Sequence, residues 1–359
     1  MSITVKSSIS WTPAGYGPGP GMLLQGNPYS LPEALLLSMP MHFRWHLLAL
    51  IIGASFHFTS SIHADTGKEQ DQFVVAGYLP HYRVTTATPE SLKPLTDLIY
   101  FGLTPPAGGR LDKEPVSPAI LQKLQEIKRL NGCRLLLCVG GWNRSEGFSK
   151  VTLREGARKQ LVKELLAFCR ENGFDGVDFD WEHPRGAQEL ASYQALLTDA
   201  RESFNPAGLL VTVAQASWQD LGARAYRAVD RIHLMSYDHD YPQATFEKSL
   251  TDVERVIQWG CPPHKVTLGV PFYGRSKRRE ARSYRKLMAS HLSPPSNDEI
   301  NGYAFNGSST IMQKVRHARQ KKLAGIMIWE TGQDDPREEF SLLKAIGRQS
   351  GRESSAGPR

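Results

Sequence analysis

The sequence predicts a (β/α)8 barrel, an α/β fold in which eight parallel strands alternate with helices around one closed sheet. Two observations predict it: short apolar runs recur along the chain, and amphipathic stretches separate several of them. Near-continuous apolar strands are typical of a parallel sheet that is buried on both faces. The predicted strands are residues 74–79, 97–103, 134–140, 176–181, 209–214, 231–237, 266–271 and 324–329.

The segments between the strands supply the helices. Apolar residues recur there at helical spacing, which is typical of helices that pack one face against a barrel. These patterns occupy residues 118–130, 155–172, 187–203, 250–260 and 335–348. A doubly wound open sheet is the alternative, but it requires a glycine-rich phosphate loop after the first strand. Residues 78–83, Tyr-Leu-Pro-His-Tyr-Arg, contain no glycine, so the closed barrel is favoured.

The two ends of the chain are expected to lie outside the barrel domain, which we assign to residues 65–348. Residues 41–64 pass from a basic start through an apolar stretch to a small residue, Ala64. This order is typical of a secretory signal peptide, and the apolar stretch is too short for a stable membrane span. A buried core helix or an uncleaved anchor is the alternative. We expect residues 349–359 to be a disordered tail.

A signal peptide that begins forty residues into the chain requires an explanation. We expect translation to start at Met39 or Met41, which makes residues 1–40 an extension from a misassigned start or a disordered segment. The mature protein would then begin near Asp65 and would be secreted or periplasmic.

Charge and composition narrow the classes of partner. The formal net charge is +7, and seven basic residues lie in the short stretch 275–286. This stretch is either a solvated basic loop or a patch that holds the protein near anionic polymers. No zinc-ligand spacing and no aromatic RNA-binding signature accompany it, so we expect no nucleic-acid partner. We also expect a monomer that needs no cofactor.

The cysteines do not predict a metal or redox site. The four of them, Cys133, Cys138, Cys169 and Cys261, form no C-x-x-C pair. Zinc binding and thioredoxin-like chemistry therefore have no support. Buried free thiols are favoured, although one disulfide remains open.

The fourth predicted strand carries a ladder of acids. Asp178, Asp180 and Glu182 stand at every second position, so on a strand their side chains share one face. In a barrel that face is the interior, where like charges at a few ångströms raise one another's pKa. We expect a proton to be shared within the ladder and the outermost acid, Glu182, to remain protonated enough to act as a general acid.

Two other interpretations of the ladder are weaker. Burying unpaired carboxylates costs several kcal/mol per ion, and barrel interiors built for stability use Val, Ile and Leu instead. A hard-cation site also uses carboxylates, but no His or Asn is interleaved with these acids. We therefore predict no metal site.

Aromatic residues follow the ends of several predicted strands. Active sites of (β/α)8 barrels lie at the carboxyl ends of the strands. A single tryptophan there is most simply explained by core packing, but a set of aromatic rings at one end suits stacking against the apolar faces of sugars. The candidate binding residues at these ends are Tyr78, Phe101, Trp142, Asp238, Tyr273 and Trp329.

The ladder, read as D-x-x-D-x-D-x-E from Asp175 to Glu182, resembles the signature of family 18 glycoside hydrolases, the chitinases and endo-β-N-acetylglucosaminidases. Further segments resemble the motifs of that family in order, across roughly residues 73–348. They are V-G-G at 139–141, M-S-Y-D at 235–238, G-V-P-F-Y-G-R at 269–275 and G-I-M-I-W at 325–329. Cys138 stands where the family usually has Ser.

The resemblance implies a mechanism in which the substrate supplies the nucleophile, an exception among retaining glycosidases. Glu182 would protonate the glycosidic oxygen, Asp180 would hold the acetamido N–H, and Asp178 would share a proton with Asp180. Tyr237 would hydrogen-bond the acetamido oxygen, and Trp329 would form the floor of the site. The resemblance also places Asp238, Tyr78 and Trp142 in neighbouring subsites.

The sequence does not determine which N-acetylglucosamine-containing compound is the substrate. The first choice is hydrolysis of β-1,4 bonds in chitin or chito-oligosaccharides. Many family members carry a domain between the seventh and eighth strands, but here the segment from Gly274 to Trp329 is too short for a full one. We therefore expect a shallow cleft and endo-action. The alternatives are an endo-β-N-acetylglucosaminidase acting on N-glycans or peptidoglycan, and a chitin-binding lectin that does not cut.

Overall fold

The computed structural model describes residues 72–352, and within them eight parallel strands close into a barrel. In chain order the strands are β1 Val74–Pro80, β2 Asp97–Leu103, β3 Arg134–Gly140, β4 Gly176–Asp180, β5 Leu210–Ala216, β6 Arg231–Met235, β7 Val266–Pro271, β8 Tyr273–Ser276, β9 Ala281–Ser283, β10 Glu299–Ile300, β11 Tyr303–Ala304 and β12 Gly325–Trp329. The order of neighbouring strands around the barrel is β1, β12, β7, β6, β5, β4, β3, β2.

The predicted closed barrel is confirmed, and each predicted strand ends within two residues of an observed barrel strand. Alternation along β1 shows how the apolar runs are used. Val74, Ala76 and Tyr78 pack inside the barrel, whereas Val75 and Leu79 pack outward against the helices. A strand with both faces buried must be apolar at every position, which is the pattern seen in the sequence.

Helices cover the outside of the barrel. Those of the described residues are α1 Pro118–Asn131, α2 Glu146–Leu153, α3 Glu155–Asn172, α4 Gly186–Phe204, α5 Gly222–Ala228, α6 Phe246–Gln258, α7 Tyr284–Met288, α8 Ser308–Gln320 and α9 Leu342–Gln349. The sequence patterns predicted five of them, and they missed α2, α5, α7 and α8.

Two helix starts differ from prediction because of capping groups. The last helix begins at Leu342 rather than 335, since the hydroxyl of its N-cap residue, Ser341, accepts the backbone N–H of Lys344 at 3.1 Å. Helix α6 begins at Phe246 rather than 250, because the Thr245 hydroxyl accepts the N–H of the third helical residue. A side-chain acceptor at the N-cap satisfies a donor that the helix leaves free.

The segment between β7 and β12 contains a small insertion. Strands β8–β11 form an antiparallel sheet in the order β10, β11, β8, β9, and the short helix α7 follows β9. The insertion is of the vestigial size expected from the sequence. It stands at the carboxyl end of β7 and contributes Arg275, Arg279 and Ala281 to the cleft described below.

The amino end of the barrel is closed by a buried ion cluster. Asp97 accepts hydrogen bonds from Arg134 at 2.7 Å and from Arg231 at 2.9 Å. Burial alone would raise the pKa of Asp97, but the two guanidinium groups lower it to about 2. This carboxylate therefore stays charged and joins β2, β3 and β6 at the end of the barrel opposite the ladder acids.

All four thiols are buried and unpaired, which confirms the free-thiol interpretation. Within residues 72–352 no helix is long and apolar enough to cross a membrane. The predicted extension at 1–40 and the signal peptide at 41–64 lie outside the described residues. Of the predicted tail, Gln349 ends α9, the next three residues are described, and 353–359 are not.

Candidate active site

The acid ladder runs up the inside of the barrel along β4 and just beyond it. Asp178 is fully buried, Asp180 is 3% exposed, and Glu182 lines the open cleft above them. The intervening side chains face outward, where Trp181 stacks on Phe148 of α2 with ring centroids 5.2 Å apart. The strand therefore sends its acids to the interior and its apolar residues to the helices, as its alternation predicted.

Asp178 is fixed at the bottom of the ladder by two hydroxyl groups. Tyr78 donates to its Oδ2 atom at 2.7 Å, and Thr212 donates to its Oδ1 atom at 2.6 Å. These donors come from β1 and β5, on opposite sides of β4 in the barrel. Both carboxylate oxygens are thus engaged, and Asp178 is held as an acceptor beneath Asp180.

Asp180 is the buried acid that lacks a full set of partners. Its Oδ1 atom is inaccessible to solvent and has no hydrogen-bond partner among the described residues. Burial, followed by the charges of Glu182 and Asp178, raises the pKa of Asp180 well above its usual range. The sequence predicted this rise from neighbouring charges, whereas desolvation is its larger cause. Burial therefore favours the protonated form of Asp180.

Glu182 has the properties of a general acid. Burial, followed by the charge of Asp238, raises the pKa of Glu182 to about 7, although the backbone N–H of Trp142 opposes the shift. The backbone of Glu182 is held by the Ser145 hydroxyl, which accepts its N–H at 3.0 Å. A carboxyl group with this pKa can carry a proton near neutral pH and still release it to a substrate.

Two glycines at the end of β3 let that strand approach the ladder closely. Gly140 and Gly141 have φ of 104° and 101°, values that side chains other than glycine rarely adopt. A Cβ atom on Gly140 would lie 2.1 Å from the Asp180 carbonyl oxygen, and one on Gly141 would lie 2.1 Å from the Phe101 ring. The Gly141 N–H donates to the Asp180 carbonyl at 2.6 Å, which fixes the backbone between Asp180 and Glu182.

A second polar cluster is formed by residues that follow β6 and by residues of β8. Tyr273 donates to Asp238 at 2.7 Å, and Arg275 also pairs with this carboxylate. Tyr237 precedes Asp238, and its hydroxyl lies 4.0 Å from the Met327 sulfur. Burial raises the pKa of Tyr237 well above its usual range, so its hydroxyl stays protonated and available as a donor.

Aromatic rings form the floor of the cleft. Trp329, at the end of β12, meets Tyr78 edge-on at 5.5 Å and Phe101 at 5.1 Å between ring centroids. Phe101 is only 5% exposed and lies behind this floor rather than in the lining of the cleft. The indole is therefore held by packing on two sides.

The cleft has a volume of about 610 Å³, and two of its tryptophans are exposed. Trp142 is 69% exposed and Trp218 is 63% exposed. His183 lies between Trp218 and the general acid: its ring centroid is 4.8 Å from that of Trp218, and its Nε2 atom is 3.7 Å from Glu182. Exposed rings beside a protonated carboxyl group suit the binding of a sugar.

The structure brings most of the predicted site residues into this one cleft. Those that line it are Tyr78, Trp142, Asp180, Glu182, Tyr237, Asp238, Tyr273 and Trp329. Asp178 lies below the cleft, and Phe101 supports its floor. The prediction of binding residues omitted others in the lining, namely His183, Trp218, His239, Arg275, Arg279 and Gln333. These residues could have been predicted from the sequence, because each follows a barrel strand closely or belongs to the basic stretch 275–286.

The surroundings of the acids were also compared with those of a metal site. Among residues 72–352, no group of three or more His, Cys, Asp or Glu side chains is placed to hold a metal ion. The arrangement instead combines a proton donor, a buried acid without a full set of partners, a tyrosine hydroxyl and an aromatic floor.

A barrel with an acid ladder on its fourth strand and an aromatic cleft above it defines a glycoside hydrolase. Residues 74–334 match the profile described as glycosyl hydrolases family 18, and the chain belongs to this family. It is a chitinase-like member.

Relatives of similar sequence carry chitinase-type names. The chain is 25% identical to a Drosophila melanogaster protein named "Probable chitinase 2", over 80% of this chain and 78% of that protein. It is 26% identical to chitotriosidase-1 of Mus musculus, over 62% of this chain and 63% of that protein.

Solved structures share the fold. A chitinase from Bacteroides thetaiotaomicron superposes with a TM-score of 0.72 at 24% identity, covering 80% of this chain and 99% of that one. A family 18 N-acetylglucosaminidase from Paenibacillus barengoltzii superposes with a TM-score of 0.66 at 23% identity, covering 77% and 100%.

Proposed function

We propose that the protein hydrolyses β-1,4 bonds next to N-acetylglucosamine in chitin or chito-oligosaccharides, with retention of configuration and with the substrate as nucleophile. The observation that carries this proposal is the pairing of Glu182, whose pKa is about 7, with the neighbouring acid Asp180, which lines the same cleft. This arrangement provides a proton donor and a partner for an acetamido group on the same strand.

The chemistry follows from these positions. Glu182 gives its proton to the glycosidic oxygen as the bond to the anomeric carbon breaks. The carbonyl oxygen of the acetamido group attacks that carbon from the opposite side and forms a bicyclic oxazolinium ion. Water, deprotonated by the Glu182 carboxylate, then opens the ring and restores the acetamido group, so the configuration is retained.

The remaining residues hold the sugar for this attack. Asp180 accepts the acetamido N–H and, once ionised, balances the positive charge of the oxazolinium ion. Its proton moves toward Asp178, which lies below it with both oxygens already accepting hydrogen bonds. Tyr237 donates to the acetamido oxygen, and Trp329 packs beneath the sugar ring. Positioning of this kind contributes a large share of the rate in intramolecular reactions.

The choice of substrate rests on the relatives and on the shape of the cleft. Relatives named as chitinases support a chitin-type polymer. The insertion between β7 and β12 is short, and an open cleft of this kind suits internal cleavage. The complete acid ladder argues against a lectin that binds chitin without cutting. We also propose that the protein acts outside the cytoplasm, where such polymers occur.

Substrate assistance is tested with analogues that change only the acetamido group. Thiazoline derivatives of N-acetylglucosamine oligomers mimic the bicyclic intermediate and should inhibit competitively, since ligands of this type bind far more tightly than substrate. A chito-oligosaccharide with glucosamine at the cleaved position should not be hydrolysed, because its amine cannot form an oxazoline. Equal rates on chitosan and chitin oligomers would exclude the mechanism. High-mannose glycoprotein and peptidoglycan, run in parallel, test the endo-β-N-acetylglucosaminidase alternative.

A further inference from the structure

A second concavity with a basic lining adjoins the catalytic cleft. Its volume is about 400 Å³. Ala281 and Gln333 line both cavities, so the two are adjacent. Four of the eight residues that line the second one are cationic, and none is acidic: Arg83, Arg282, Arg285 and Lys286. We call this concavity the basic pocket.

The cations of residues 275–286 differ in their partners. Those that face the main cleft are neutralised, because Arg275 pairs with Asp238 and Arg279 pairs with Asp240. In the basic pocket, Arg282, Arg285 and Lys286 are exposed and form no ion pair within residues 72–352. The pocket therefore gathers three of the five cations of this stretch that form no ion pair among the described residues, and the other two, Lys277 and Arg278, line neither cavity.

Two of these side chains are held in place without losing their charge. Arg282 lies over the Tyr303 ring, with its guanidinium carbon 4.4 Å from the ring centroid. Arg285 donates through Nε to the Asp334 carbonyl at 3.0 Å, which leaves its terminal nitrogens free for a ligand. The fourth cation, Arg83, is bonded to Glu330. A guanidinium held in this way is well suited to bind a carboxylate through two parallel hydrogen bonds.

The position of the pocket indicates which part of a substrate reaches it. In the proposed mechanism the leaving group lies beyond Glu182, on the side of His183 and Trp218, and the sugar that carries the reacting acetamido group lies over Trp329. That mechanism directs the next sugar on the retained side toward Gln333, which lines both the cleft and the basic pocket.

We propose that the basic pocket binds a carboxylate carried by the sugar that precedes the reacting N-acetylglucosamine. This inference rests on the proposed function and extends its substrate class to N-acetylglucosamine glycans that bear acidic substituents. N-acetylmuramic acid is such a sugar, since it is N-acetylglucosamine with a lactyl ether. The main cleft performs the same chemistry on either kind of chain, and the pocket favours the acidic one.

Three methylumbelliferyl disaccharides test the proposal, because they share one leaving group and one reacting sugar. They are the chitobioside, the analogue with N-acetylmuramic acid as its outer sugar, and the uncharged carboxamide of that analogue. We expect kcat/KM for the acid to exceed that for the carboxamide by about tenfold at low salt, which corresponds to two exposed ion pairs of ordinary strength. The ratio should fall toward one in about 1 M NaCl, where charges are screened beyond about 3 Å.

Substitutions test whether the cations of the basic pocket cause the preference for the acidic disaccharide. Arg285→Gln combined with Lys286→Gln should bring the ratio of acid to carboxamide close to one. The matched control, Lys163→Gln combined with Arg170→Gln, removes two exposed cations from α3 and should leave the ratio unchanged. The thermal midpoint of each variant establishes that it is folded, and the salt dependence of the wild-type protein tests the pocket without any substitution.

The outcomes separate this inference from the proposed function. If the chitobioside is hydrolysed but acid and carboxamide react equally, the pocket has no role in recognition and the inference is wrong. If none of the three is hydrolysed, the proposed function fails. In that case the affinities of the Glu182→Gln variant for the acid and the carboxamide, measured by calorimetry, still decide the inference, because tighter binding of the acid is required.

Discussion

The raised pKa of Glu182 predicts how activity depends on pH. Glu182 must be protonated to act as the acid, so kcat/KM should fall as pH rises through about 7. With a pKa of about 7, roughly half of the molecules carry this proton at pH 7. At the ordinary value of 4.5 only about 0.3% would carry it, so the site increases the competent fraction by about 150-fold.

Asp238→Asn is the perturbation that tests the origin of this pKa. The charge of Asp238 is the second cause of the rise in the pKa of Glu182, after burial. Asparagine keeps the shape of the side chain, and its carbonyl can still accept from Tyr273 and Arg275. Removing the negative charge, and leaving Arg275 uncompensated, should both lower the pKa of Glu182. The alkaline limb of the profile should therefore move to lower pH.

The assay is the pH profile of kcat/KM on a fluorogenic chito-oligosaccharide, since this parameter reports the groups of the free enzyme. Asp240→Asn is the matched control, because Asp240 is an exposed carboxylate paired with Arg279 and does not contribute to the pKa of Glu182. An alkaline limb that stays in place or moves to higher pH in Asp238→Asn would refute the electrostatic reasoning. A wild-type profile that remains flat well above pH 7 would refute the assignment of Glu182 as the acid.

Three further predictions follow from the site and the chain ends. Glu182→Gln should lower kcat by at least about 10²-fold while substrate still binds, because glutamine keeps the shape but has no proton to give; single-turnover kinetics and calorimetry measure the two effects. Cys138→Ser should change the free energy of unfolding by less than about 1.5 kcal/mol, since the thiol is free and a hydroxyl can keep its side-chain hydrogen bond to Asp178; loss of folding in this variant would contradict it. Protein collected from the medium of an expressing host should begin near Asp65 by N-terminal sequencing, and a functional product that begins before Met39 would contradict the signal peptide.

The barrel and the acid ladder could be predicted because they rest on local periodicity. Alternation along β4 determines which side chains enter the barrel, and apolar runs of strand length determine the other seven strands. The sequence could not show that burial exceeds neighbouring charge in raising the pKa of Asp180, because burial depends on every strand around it. It also did not reveal that Phe101 lies behind Trp329, because the two residues are far apart in the sequence.

Helix boundaries were predicted less well, for a physical reason that the caps make clear. Ser341 and Thr245 accept backbone N–H groups, and these N-cap side chains stabilise the starts of α9 and α6. Apolar periodicity continues across such positions and does not reveal them. The insertion could be predicted only by its length, because its strands are short and pair with one another through non-local contacts.

The three acids occupy successive inward positions of one strand, and this has a consequence for how the enzyme can be altered. Alternate residues of a parallel strand are about 6.6 Å apart, so the spacing of donor, orienting acid and supporting acid is set by the backbone pleat. Much of the wall around them, including Trp142, Trp218 and the basic segment, comes from connections that follow the strands. Replacement of those connections, above all residues 273–304, can therefore change which polymer is preferred while the catalytic acids keep their positions.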